Sequence, residues 1–102
     1  MNRNEVWLAQ VGRKTRPVLV LTRDEVIDVR DLVSVAEITT SVRGLAAEVD
    51  VDHGEAGLDR PSVINCDGIH TVPQSMLLKR VGTVDDETMR RVCWAIHYAL
   101  GC

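Results

Sequence analysis

The 102-residue sequence predicts a mainly β fold: a curled, mostly antiparallel sheet with one helix packed on it at the C-terminus, all within a single domain, 1–102. Three observations carry that expectation. Several apolar runs of strand length are separated by Gly-led or charge-rich breaks. One amphipathic segment of helix length stands last, with both of its caps legible. Apolar residues make up 45% of the chain, enough for one modest core.

Glu5 to Val11 alternates Val6 and Leu8 with Trp7, Ala9 and Val11, and β-formers dominate it, so it reads as the first strand. Gly12-Arg13-Lys14-Thr15 reads as a polar break. Pro17 to Thr22 is a continuous apolar run, a strand covered on both faces that Pro17 must begin or edge. Residues 23 to 31 are charge-rich and allow at most a short helix. Leu32 to Ile38 resumes β character and ends in the hydroxyls Thr39, Thr40 and Ser41. Ala47 to Asp52 alternates apolar and acidic residues, as a half-buried strand does. After a two-glycine loop at 53–60, Ser62 to Cys66 and Leu77 to Val84 supply further strands, with Pro73 opening a short helical turn through Met76. Asp85 is a suitable N-cap, Asp86 and Glu87 suit the positive end of the helix dipole, and Gly101 is a C-terminal stop. The spacing of Met89, Val92, Cys93, Ile96 and Leu100 predicts the buried stripe of that helix.

Composition narrows the function. No apolar run is long enough to span a bilayer and no signal peptide opens the chain, so a cytoplasmic protein is expected, with no membrane role. Cys66, Cys93 and Cys102 are odd in number and lack framework spacing, which fits reduced thiols. A net charge of −3 argues against a protein that coats nucleic acid non-specifically. The charge is uneven, however: residues 1–16 carry Arg3, Arg13, Lys14 and Arg16 against Glu5 alone, while 46–59 hold five acids and no Lys or Arg. A local basic segment on an acidic body suits a short anionic ligand.

Two Cys-x3-His pairs, Cys66 with His70 and Cys93 with His97, raise zinc, but four residues of strand span about 13 Å and cannot place the first pair on one ion without a turn at Gly68. No metal and no cofactor are therefore expected. Neither a Walker loop, a Gly-x-Gly-x-x-Gly run nor a Gly-x-Ser-x-Gly elbow is present. What remains is the basic segment Arg13-Lys14-Thr15-Arg16 and the hydroxyl cluster Thr39-Thr40-Ser41. Guanidinium forks and hydroxyls together describe a phosphate site, against the ordinary reading of solvated bases and strand threonines.

Four blocks resemble the MazF/PemK (Kid) toxin family: Arg3-Asn4-Glu5-Val6-Trp7, Arg16-Pro17-Val18-Leu19-Val20, Ala36-Glu37-Ile38-Thr39-Thr40-Ser41 with Arg43-Gly44-Leu45, and Ser62-Val63-Ile64-Asn65-Cys66-Asp67. Val81-Gly82-Thr83-Val84 and the last helix also match in place. The resemblance implies a small SH3-like barrel with a C-terminal helix, shared with CcdB-type toxins. It implies a homodimer that carries single-stranded RNA in a groove across the dimer, with a MazE-like antitoxin able to occupy that groove. The implied activity is an endoribonuclease, an mRNA interferase that leaves a 2′,3′-cyclic phosphate and a 5′-hydroxyl. Carried over by motif, Arg16 and Thr39 are catalytic and Asp67 is the base or orients Arg16. Arg13, Lys14, Thr40, Ser41, Arg43 and Asn65 are expected to bind RNA. The segment between the first two strands lacks the family's frequent Glu or His, and Asn65 replaces the Kid branch's arginine, so the general base and the sequence specificity stay open, with Asp67 the motif candidate for the base. Two rivals stand beside this reading. One is a CcdB-like gyrase poison, although the chain ends Tyr98-Ala99-Leu100-Gly101-Cys102 and not in that branch's gyrase-gripping residues. The other is an inactive paralogue that only binds antitoxin.

Overall fold

The computed structural model describes residues 1–102. Six strands, β1 (Glu5–Val11), β2 (Lys14–Val20), β3 (Leu32–Thr39), β4 (Glu48–Val51), β5 (Ser62–Pro73) and β6 (Leu77–Thr83), form one sheet in the order β4-β5-β3-β2-β1-β6. Every neighbouring pair is antiparallel. A single-turn helix, α1 (Asp24–Ile27), links β2 to β3, a 3-10 turn at Gln74–Met76 links β5 to β6, and α2 (Asp86–Leu100) ends the chain.

The sheet curls until its ends meet. The turn that follows β4 reaches β6, where the Thr83 amide donates to the Glu55 carbonyl at 3.2 Å. Gly82 makes the approach possible, since a Cβ there would overlap the backbone of Ala56. This joins the two edge strands through a turn, which gives the barrel form and blunts both edges.

Curling gives the sheet an inner and an outer face, and each is covered. Leu19, Ala36, Ile38, Ile64 and Cys66 point inward and meet Met89, Val92 and Ala95 of α2 in the larger core. Val18, Val20, Val33 and Val35 point the other way and pack under Ile27 and Leu77. Burial on both faces is why the Pro17–Leu21 run is apolar without alternation.

Three local expectations change. Residues 12–15 are not all a break between strands: Lys14 pairs with Val11, so only Gly12 and Arg13 form the turn, with Gly12 at φ 61°. Pro17 lies inside β2, in the part that pairs with β1 alone, because β3 joins only from Val18. On α2, Asp85 caps as expected, accepting from the Thr88 amide at 2.8 Å, and Gly101 closes the helix at φ 70°. The buried line, however, is Thr88, Met89, Val92 and Ala95, with Cys93 and Leu100 exposed. At about 100° per residue both lie some 80–100° round the helix from Val92, outside the strip the sheet covers.

Candidate functional site

Strand parity carries the polar residues to one place. On the outer face, Val18 and Val20 of β2 are followed toward the hairpin by Arg16, and Val33 and Val35 of β3 by Glu37 and Thr39. Val18 pairs with Glu37, a register that sets Arg16 beside Thr39 just past the last paired residues. Glu37 pairs in turn with Asn65, and Asn65 with Glu48. The outer apolar layer stops at Val18 and Val35, and a cleft of about 250 Å³ opens beyond it.

Arg16, Thr39 and Asp67 all line this cleft, with Ser41, Arg43 and Asn65. Three of the expected residues are elsewhere: Arg13 is in the hairpin turn, Lys14 beside it, and Thr40 just past the end of β3. The turn lies about 10 Å of strand from Arg16, placing its charges at the rim. Trp94 and Tyr98, the aromatics of α2, are exposed and do not line this cleft.

A bulge builds the β5 wall. Ala36 pairs with Ile69 but the next residue, Glu37, pairs with Asn65, leaving Cys66, Asp67 and Gly68 without partners on β3. Gly68 is therefore inside a strand and not at a turn. The Asn65 Oδ1 accepts from the Asp67 amide at 3.1 Å and holds the bulge, while Asp67's own carboxylate projects into solvent with no bond to another side chain. Cys66 points inward, and burial, with smaller contributions from Asp67 and Cys93, pushes its thiol up to about 11. A thiol so placed is neither a nucleophile nor a ready metal ligand near neutrality.

The opposite wall is the segment after β3. Thr39 Oγ1 accepts from the Ser41 amide at 3.0 Å, which uses one of its lone pairs and leaves its proton free to be donated outward. Glu48 accepts from the amides of Arg43 and Leu45, at 3.0 and 3.2 Å, and ties the Arg43 loop to β4. Arg16 and Arg43 make no side-chain ion pair although Glu37, Glu48 and Asp67 line the same cleft. Two uncommitted guanidinium groups beside a hydroxyl donor form a phosphate-binding arrangement.

Glu37 and Glu48 were not foreseen as part of the site. Glu48 reads as one more acid of an alternating wet face. Glu37 had a visible signal, the one charged residue within the Leu32–Ile38 run.

A curled six-stranded antiparallel sheet with a C-terminal helix on its inner face and a polar cleft on its outer face is the architecture of a small toxin-type barrel. The model of the PemK-like, MazF-like toxins of type II toxin-antitoxin systems matches residues 2–100, and the chain belongs to that family. The probable endoribonuclease MazF5 of Mycobacterium tuberculosis is 40% identical over 98% of this chain and 93% of its own length. The solved Mycobacterium tuberculosis toxin MazF-mt6 is also 40% identical and superposes with a TM-score of 0.89, over 95% of this chain and 96% of that one. A mycobacterial endoribonuclease solved with its cognate antitoxin reaches a TM-score of 0.90 at 23% identity, over 99% of this chain and 95% of that one, a likeness of fold.

Proposed function

We propose that this MazF-family endoribonuclease cuts single-stranded RNA, messenger RNA foremost, by a metal-independent transesterification that stops translation and growth. Attack of a ribose 2′-hydroxyl on its own 3′-phosphate yields a 2′,3′-cyclic phosphate and a 5′-hydroxyl. The observation that carries the proposal is the placement of Arg16 and Thr39 in one cleft, just past the last β2–β3 pair at the end of the outer apolar layer, the arginine bound to no carboxylate.

Arg16 stabilises the charge that grows on the non-bridging oxygens by donating guanidinium hydrogen bonds to them. Thr39 donates its hydroxyl proton to one of those oxygens. Asp67, on the bulge of the facing wall, makes no ion pair with Arg16 in the free protein and orients it only once RNA is bound. Ser41, Arg43 and Asn65 contact the flanking nucleotides from within the cleft, while Arg13, Lys14 and Thr40 meet the RNA backbone farther out. In a homodimer the two clefts lie along one groove in the cytoplasm, and a MazE-like antitoxin silences the toxin by occupying that groove. The antitoxin-bound relative supports this partner.

Purified protein in EDTA, given a defined RNA and the same oligonucleotide with 2′-deoxy substitutions, should cut only the RNA, and mass spectrometry should find the cyclic phosphate end. Failure across varied sequences would move the reading to a gyrase-binding or antitoxin-sequestering toxin.

A further inference from the structure

We infer that Glu37, held by His70, is the general base that takes the proton from the ribose 2′-hydroxyl. The inference rests on the RNA-cleaving reading above and assigns the base, a role for which the motif residues offer only Asp67.

Glu37 is on the same face of β3 as Thr39, two residues away, so its carboxylate stands about 6–7 Å along the strand from the Thr39–Arg16 row. A ribose 2′-hydroxyl and the adjoining phosphate can bridge that interval. One carboxylate oxygen, Oε1, lies 3.3 Å from His70 Nε2 on β5. The other, Oε2, lies over Gly68, where a Cβ would collide with it and press on the Asn65 amide. The missing side chain at Gly68 thus keeps space for the carboxylate.

The other two carboxylates of the cleft are less suited. Glu48 is engaged by the amides of Arg43 and Leu45, and Asp67 projects from the bulge with nothing to fix it. Glu37 alone is both held at one oxygen and uncommitted at the other. A general base needs that fixed geometry before its acidity matters.

In the step itself, Glu37 Oε2 takes the 2′-proton as O2′ forms its bond to phosphorus. The bond from phosphorus to O5′ breaks with its electron pair on O5′, which takes a proton from water, and Glu37 returns its own proton to solvent. His70, about half exposed, touches the carboxylate and not the RNA, so it is a positioning residue.

The test is single-turnover cleavage by the full chain in EDTA, comparing wild type with Glu37→Gln, Gly68→Ala and His70→Gln. Glu37→Gln should lose about 10²- to 10⁴-fold in rate. Gly68→Ala, which keeps the carboxylate but displaces it, should lose at least about tenfold. His70→Gln should lower kcat with KM unchanged, and the double variant with Glu37→Gln should be no slower than Glu37→Gln alone. A substrate with sulfur at the 5′ bridging position, which needs no leaving-group acid, should leave the Glu37→Gln defect in place; rescue by that substrate would overturn the base assignment. Wild-type cleavage with Glu37→Gln within threefold of it would overturn the inference and leave the RNA-cleaving reading intact, whereas no cleavage by wild type would overturn both. Circular dichroism and melting of each variant separate a lost base from a lost fold.

Discussion

Replacing Arg16 with alanine removes a side chain that is exposed and makes no ion pair or hydrogen bond within the chain. No protein group loses a partner, so stability should stay within about 0.5 kcal/mol of wild type. The effect on cleavage has two parts. Loss of a single preorganised donor to a developing oxyanion costs about 10²- to 10³-fold in kcat. The cleft also holds Arg16 and Arg43 against Glu37, Glu48 and Asp67, two bases against three acids; without Arg16 it is one base against three acids. An RNA phosphate is then held only by Arg43, so KM should rise as well, and about 10³- to 10⁴-fold in kcat/KM is expected in total. Because the binding part comes from exposed charges, added salt should shrink the KM difference and leave the kcat difference. Single-turnover cleavage of a fluorogenic RNA at several salt concentrations, beside a thermal melt, measures both parts. A variant that folds normally and cleaves within tenfold of wild type would refute the role of Arg16.

Two predictions concern the scaffold. Burial works to raise the Glu5 carboxyl, but hydrogen bonds from the Trp7 indole, the Asn2 amide and Arg80 outweigh it and hold Glu5 below its ordinary 4.5. A carboxyl lowered in the folded state contributes stability that is complete above about 4.5 and is lost as pH falls through the lower folded value. Thermal melts should therefore drop in temperature below pH 4.5, and Glu5→Gln should melt lower at neutral pH yet depend less on acid; an unchanged acid slope would count against the Glu5 network. For the thiols, Cys66 is buried and pushed up to about 11, while Cys93 and Cys102 are exposed. Maleimide at neutral pH should label two thiols of the native protein and three after denaturation, and three in the native state would contradict the core.

Much of the architecture was legible because it rests on local chemistry. Asp85 and Gly101 bracket α2 through a side-chain cap and a left-handed residue, both readable from residue type. The continuous apolar run after Arg16 reports burial on two faces, and the acidic alternation near Glu48 reports burial on one. The errors fell where geometry depends on a partner. Arg13 to Arg16 is polar and looks like a loop, but pairing with β1 draws Lys14, Thr15 and Arg16 into β2. Asp67-Gly68 looks like a turn, but a bulge absorbs it into β5. Cys93 fits the helical period of α2, yet which strip of a helix is buried depends on the width and angle of the sheet beneath it.

The sequence by itself determined the elements, their approximate ends and the family motifs, because caps, glycines and hydrophobic period act within a few residues. It also singled out Arg16 and Thr39, which the structure brings into one cleft. Only the tertiary structure decided what stands next to what. The β2–β3 register sets Arg16 beside Thr39, and the bulge in β5 brings Gly68 under Glu37 and His70 against it. These neighbours lie tens of residues apart in the chain, and their meeting depends on strand pairing, where a shift of one residue would turn each side chain to the opposite face.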